Sequence, residues 1–299
     1  MEQQSANPTT SIHPAANIGL VTLRVSNLDR SLDFYQGILR FRLIERTPGK
    51  ALLGAEAGPP LLELHEVPDA PPQPRWATGL YHVAILLPSR ADLGQELIHM
   101  ADAGLEIGQA DHLVSEALYI SDPDGNGLEI YRDRPRSEWT WDGHMVRMAV
   151  DPLDLRAIAQ EGMEAEHQWD VIPTGTRVGH IHLQVNDIPA TEHFYHDILG
   201  FDIMARMPSA TFLSAGGYHH HIGANIWQSR GASPAPETGA GLRSYRIALP
   251  DSEALADVRG RLARSGIAAD ESDGEIITTD PSQNRIRFAV LPSPDNTGS

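Results

Sequence analysis

The chain carries an internal duplication, and this constrains its fold more than any other feature. Residues 21–46 read VTLRVSNLDRSLDFYQGILRFRLIER, and residues 181–206 read IHLQVNDIPATEHFYHDILGFDIMAR, at an offset of 160 positions. Val25/Val185, Phe34/Phe194, Tyr35/Tyr195, Leu39/Leu199 and Phe41/Phe201 coincide. Each copy reads as a short alternating strand, an Asn or Asp at a helix start, an amphipathic helix, and an aromatic entering the next strand. A second segment type also occurs twice: YHVAILLPSRADLGQELIHMADAG (81–104) has a weaker partner in SYRIALPDSEALADVRGRLARSG (244–266). These end in hairpin-like stretches, SDPDGNGLEIY (121–131) and TDPSQNRIRFA (279–289). The chain therefore divides into four modules, each a strand, a helix and about three further strands. Modules 1 and 3 are sisters, as are 2 and 4.

The expected layout is a mobile N-terminal tail (1–17), an N-terminal module pair (18–134), a connecting segment (135–177), a C-terminal module pair (178–292) and a terminal tail (293–299). Within the connector, DPLDLRAIAQEG has the composition of a helix. A length of 299 residues suits two domains.

Composition narrows the chemistry. The formal net charge of −17 argues against nucleic acid and anionic membranes as partners. No apolar run approaches the roughly 20 residues that span a bilayer. The polar start MEQQSANPTTSIHPA lacks the apolar segment of a secretory signal, so a cytoplasmic location is expected by default. There is no cysteine, so a transition metal would have to be held by the 14 histidines and the carboxylates.

One carboxylate is out of place. Glu129 lies between Leu128 and Ile130 in what reads as a buried strand. Desolvating an unpaired carboxylate is costly, so either Glu129 faces solvent or a cation meets it.

The four modules, with their L-x-V-x-[ND]-[LI] and FY-x-x-I-L-x-F signatures, resemble the vicinal oxygen chelate superfamily, which includes glyoxalases, bleomycin- and fosfomycin-resistance proteins and extradiol ring-cleaving dioxygenases. The resemblance spans roughly residues 18–290. It implies an α+β fold of paired βαβββ modules, forming two open cup-shaped mixed sheets. The stretch HLVSEALYISDPDGNGLE (112–129) is similar to the extradiol dioxygenase signature: His112, five residues, Leu118-Tyr119, two residues, Asp122-Pro123, one residue, Gly125, three residues, Glu129. Ala110 departs from it, at a position where that family carries Gly, Asn, Thr, Ile or Val.

In this superfamily metal ligands come from the first strands of two paired modules and the last strand of one. Glu129 matches the last strand of module 2 and His82 its first strand. Alternation puts His82, Ala84 and Leu86 on one face and Val83, Ile85 and Leu87 on the other. The third ligand must come from a partner's first strand. Module 1 offers Leu20 at that place and module 3 offers His180. Module 4 has Ser244 where module 2 has His82, and Arg287 where it has Glu129. Only modules 2 and 3 together supply two His and a carboxylate, so they are expected to form the metal cup, with a metal-free cup from modules 1 and 4. Such a donor set suits Fe(II), and Mn(II) accepts the same donors.

The run YHHHI (218–222) resembles the place where extradiol enzymes carry an acid–base histidine. Matching it puts His220 in that role, whereas strand parity favours His219 and His221. By the same resemblance His112 would hydrogen-bond substrate or oxygen, and Tyr119 would orient a catecholate. His182, His219 and Asn225 are candidate substrate contacts. Trp139 and Trp141 read as covering a cup mouth or an interface. The implied activity is ring cleavage of a small aromatic diol by O₂, and a homo-oligomer is compatible with it. The alternatives are a metal-dependent glyoxalase-type isomerase or lyase, which usually adds a fourth protein ligand, and a non-enzymatic small-molecule binder.

Overall fold

The computed structural model describes residues 11–291. Module 1 comprises β1 (Asn17–Val25), α1 (Leu28–Gly37), β2 (Arg42–Thr47), β3 (Lys50–Gly54) and β4 (Pro60–Glu66). Module 2 comprises β5 (Gly79–Leu86), α2 (Arg90–Asp102), β6 (Gly108–Asp111), β7 (Ser115–Ser121) and β8 (Gly127–Asp133). The connector holds a two-stranded ribbon, β9 (Trp141–Asp142) and β10 (Met145–Val146), and then α3 (Leu155–Glu164). Module 3 comprises β11 (Arg177–Gln184), α4 (Ile188–Glu192) running into a wider π turn (His193–Ile198), β12 (Asp202–Met207), β13 (Ala210–Ser214) and β14 (Ile222–Asn225). Module 4 comprises β15 (Gly241–Leu249), α5 (Ser252–Arg264), β16 (Asp270–Ser272), β17 (Glu275–Thr279) and β18 (Arg285–Val290). The repeated Asn and Asp cap their helices: Asn27 accepts from the Arg30 amide and Asp187 from the Ala190 amide.

The modules pair across the duplication. One eight-stranded sheet runs β16-β17-β18-β15-β1-β4-β3-β2 and joins modules 4 and 1. The other runs β12-β13-β14-β11-β5-β8-β7-β6 and joins modules 3 and 2. This is the pairing that the candidate ligands require. In each module the first strand lies parallel to the last, and the two first strands of a pair meet antiparallel. The Tyr shared by the two repeats ties the sheets together. Tyr35 of module 1 donates to Asp122 of module 2 (3.0 Å), and Tyr195 of module 3 donates to Asp280 of module 4 (3.1 Å). Each acceptor also holds its own turn by binding backbone amides two and four residues on. Asp122, part of the matched signature, is thus a structural turn residue.

A single apolar core runs through all four modules, filled from the strand faces opposite the cups. It includes Val83, Ile85 and Leu87 of module 2 and Leu128 and Ile130 of β8. The connector is anchored where α3 crosses α2. A Cβ on Gly94 would lie 2.2 Å from the Ile158 carbonyl, and one on Gly162 would lie 2.4 Å from the Gly94 carbonyl carbon. The two glycines let the helix backbones touch.

The expected tails need one correction. Residues 1–10 and 292–299 lie outside the described residues, but residues 11–16 are packed. Ile12 and Ala16 are buried, and the Ile12 amide donates to the Gly200 carbonyl (2.9 Å). Two apolar side chains and a backbone hydrogen bond hold a stretch whose polar composition read as mobile.

The sheet of modules 1 and 4 carries no counterpart of the candidate ligand cluster among the described residues. Thr22 donates to Glu63, and Arg246 and Arg287 both pair with Glu275. Ion pairs occupy the face that in the other sheet carries His and Glu.

Candidate metal centre

On β5, β8 and β11 the alternation of strand side chains puts His82, Glu129 and His180 on one face. His180 reaches it through a bulge. Val178 faces Ile85 and His180 faces Ala84, so Gly179 is an extra residue on β11. Its lack of a side chain is required, because a Cβ there would overlap the Tyr131 hydroxyl. The His82 and His180 Nε2 atoms lie 2.9 and 3.1 Å from Glu129 Oε2. All three side chains are buried, and their ligand atoms fall within 4.8 Å of one another.

Electrostatics favours a cation. Burial alone would raise the Glu129 carboxyl, but His180 and His82 outweigh it and hold the group well below the usual carboxylate range. Burial lowers His180 to about 4 despite the carboxylate beside it. An ionised carboxylate and a neutral imidazole follow, which are the metal-binding forms. His82 Nε2 is a buried nitrogen with no aligned hydrogen-bond partner, although Glu129 is close. Two imidazole nitrogens converging on one buried carboxylate oxygen fit a bound divalent metal, and two nitrogens with one oxygen suit Fe(II) or Mn(II).

Tyr119 and His112 lie beside the triad. Tyr119 faces Glu129 directly in the β7–β8 register. His112, in the turn between β6 and β7, has Nδ1 2.7 Å from the Ala149 carbonyl and Nε2 2.6 Å from the Tyr119 hydroxyl. A carbonyl only accepts, so Nδ1 carries the proton and Tyr119 donates to Nε2. Burial and the Glu129 carboxylate push the Tyr119 hydroxyl well above its ordinary value.

His219–His221 do not form a strand. They occupy the turn between β13 and β14, which enters through Gly216 and Gly217, both at positive φ. Strict alternation therefore does not hold. The His220 ring lies 4.1 Å from the His180 ring, facing the triad. The expectation that parity would set His219 and His221 together fails, because the adjacent His219 and His220 instead hydrogen-bond through their Nδ1 atoms (2.7 Å). His221 turns away, accepting from the Ala215 amide (3.2 Å) and packing on Tyr218. Burial, then His180 and the other histidines, holds His220 well below its ordinary pKa.

Two expected substrate contacts are spent within the protein. His219 is fully buried, with both ring nitrogens engaged by His220 and Asp133. Asn225 gives its amide to His182 Nε2 (3.1 Å) and accepts from the Trp227 amide (3.1 Å). Both groups are hydrogen-bonded to a histidine of the cup face, His219 to His220 and Asn225 to His182. His182 shares the cup face, its ring 4.9 Å from that of His82, over Gly223, where a Cβ would crowd it. Trp139 is buried against His219 (5.4 Å), while Trp141 is exposed.

Three residues escaped the sequence reading. Tyr81 packs on His182 (5.0 Å) and Trp227 (5.1 Å) at the cup rim. Parity opposes Tyr81 to His82, but His182 faces His82 and Leu183 faces Leu80, so Tyr81 is an extra, bulged residue on β5. Trp227 follows β14 and had no partner legible in sequence. Asp133 shares strand parity with Glu129 and Tyr131, a signal that could have found it.

A family model, the Glyoxalase/Bleomycin resistance protein/Dioxygenase superfamily, matches residues 17–130 and 177–288. The chain belongs to that superfamily. A curated relative, the catechol-2,3-dioxygenase of Bacillus subtilis (strain 168), is 44% identical over 277 residues, covering 91% of this chain and 96% of the relative. Among solved structures, a protein from Bacillus subtilis subsp. subtilis str. 168 superimposes with a TM-score of 0.64 at 16% identity, over 95% of this chain and 86% of the other. Glyoxalase I from Zea mays gives 0.55 at 16% identity over 92% of each chain. These structural likenesses carry the superfamily fold. No helix among the described residues is long and apolar enough to cross a membrane.

Proposed function

We propose that this superfamily member is an extradiol dioxygenase. It cleaves a catechol ring beside the two hydroxyls, incorporates both atoms of O₂, and yields a muconic semialdehyde-type product. His82, Glu129 and His180 hold a single Fe(II). The observation that carries the reading is a three-donor site flanked by its own proton-handling groups, with His220 on one side and the Tyr119–His112 pair on the other. The 44% identity to a catechol-2,3-dioxygenase supports it.

Ferrous iron, when bound, supplies the electron-transfer chemistry that lets O₂ react with a catechol. The chain's own residues handle protons and position. His220, lowered by burial, is neutral near pH 7 and accepts a catechol hydroxyl proton. Tyr119, kept protonated, turns its one O–H from His112 Nε2 to oxygen charge that develops on a bound substrate. Until then His112 holds that hydroxyl. The ring planes of Tyr81, His182 and Trp227 offer an aromatic rim for the diol.

The glyoxalase-type reading asks for a fourth ligand. Residue 223, beside His182 in the β11–β14 register, occupies the place that Glu129 holds beside Ala84. It is glycine and supplies no donor. The deciding assay loads the protein anaerobically with Fe(II), adds catechol and then O₂. O₂ uptake with a yellow ring-fission product is expected. No uptake with any simple catechol, or a cis,cis-muconate product, removes the assignment.

A further inference from the structure

The histidine run does more than place one ring at the metal site. Behind His220 lies a directional chain of hydrogen bonds ending on one carboxylate. His220 Nδ1 meets His219 Nδ1 at 2.7 Å, and His219 Nε2 meets Asp133 Oδ1 at 2.9 Å. The Tyr218 hydroxyl also donates to Asp133, 2.9 Å from Oδ2, and lies 2.8 Å from the Tyr131 hydroxyl. His219 and His220 are both buried.

The donor inventory settles the protons. An ionised carboxylate only accepts, so His219 Nε2 must carry N–H. With Nε2 as the donor to Asp133, the one-proton form of the His219 ring leaves Nδ1 as the acceptor of the Nδ1–Nδ1 contact. His220 must therefore donate from its own Nδ1, which leaves a free lone pair on Nε2. With Nδ1 tied to His219, Nε2 is the nitrogen left to act on a ligand in the cup.

We propose that Asp133 and His219 are positioning residues that fix His220 in the Nδ1–H tautomer and so keep its Nε2 available as the proton acceptor. This deepens the ring-cleavage reading and rests on it for the role of His220, but the tautomer itself does not depend on that reading. Arg136 of the connector steadies the turn by donating to the Gly216 and Gly217 carbonyls. Gly216 is needed there, since a Cβ would meet the Pro14 carbonyl at 2.3 Å.

Asp133→Asn tests the relay with no change of shape. An amide that turns its NH₂ to His219, leaving its oxygen to the Tyr218 hydroxyl, donates where the carboxylate accepts. His219 Nδ1 must then carry a proton, His220 Nδ1 must accept it, and Nε2 becomes N–H, the wrong tautomer for a base. His219→Phe breaks the chain outright and serves as the second variant.

Two readouts separate the relay from the reaction. In metal-free full-length protein, long-range ¹H–¹⁵N correlation, with His220 assigned by its loss in His220→Gln, should show Nδ1–H in the wild type. It should show Nε2–H, or a tautomer mixture, in both variants. In iron-loaded protein, kcat for catechol should fall roughly 10²–10⁴-fold in Asp133→Asn, with KM and iron content little changed. Wild-type His220 protonated on Nε2 overturns the proposal. So does a variant pair in which the Nδ1–H tautomer and kcat both survive. If the tautomer shifts as expected but no catechol is consumed even by the wild type, the relay stands and the ring-cleavage assignment falls.

Discussion

His82 and His180 converge on one face of the antiparallel seam of β5 and β11, ring centroids 5.6 Å apart, one from each half of a duplicated chain. Neither half holds a complete ligand set. Glu129 joins them from the last strand of module 2, so the metal site is also a joint between the halves.

Glu129→Ala should therefore leave two imidazoles and little metal. Iron per chain, measured after anaerobic loading and desalting, should fall from about one equivalent to near none, because a divalent ion loses its only anionic ligand. Stoichiometric iron in the variant would rule Glu129 out as a ligand.

Tyr119→Phe should keep the iron. It removes the hydroxyl that donates to His112 Nε2 and lies beside Glu129. A drop in kcat of roughly 10²-fold is expected, the usual loss on removing one aimed donor. Paired iron analysis and steady-state kinetics check it, and unchanged kcat would exclude Tyr119 from the chemistry.

Acid should destabilise the metal-free protein, and His221 should account for part of the slope. Burial, then neighbouring His219 and His180, lowers His221 to about 3. Its folded-state value lies below its unfolded one, so the unfolded chain binds more protons. The contribution is absent above about pH 6.5 and grows as pH falls toward 3. Between pH 7 and 5 one such group costs on the order of 2 kcal/mol. Urea unfolding of metal-free wild type and His221→Gln at both pH values should show a flatter pH dependence in the variant.

Gly162→Ala should loosen the connector. The new methyl would enter the Gly94 backbone at the crossing of α3 and α2. A loss of about 1–3 kcal/mol is expected, the usual cost of overpacking. Denaturant midpoints measure it, and a neutral result would show that the two helices can separate freely.

Much of the site was legible because strand parity and module arithmetic are local. Glu129 and Tyr131 share a face by period two, and Leu20, Ser244 and Arg287 spoil every pairing except modules 2 with 3. The extra residues were not legible. Gly179 and Tyr81 each add one position to a strand, and a single insertion flips every later side chain. Only the register between β5 and β11 reveals that Tyr81 joins His182 at the rim. The order of the histidine run was also hidden, since three residues in a turn follow no period.

The sequence by itself determined four modules, their duplication and the helix caps, and its resemblance to the superfamily pointed to a His–Glu–His set drawn from both halves. The modules and caps reside in residue type and spacing. Tertiary structure decided which histidine faces the triad, that His219 and Asp133 stand behind it, and that residues 11–16 are held in place. These depend on contacts between segments as far apart as Asp133 and His219, whose geometry follows from sheet register and from turns at positive φ rather than from any local pattern.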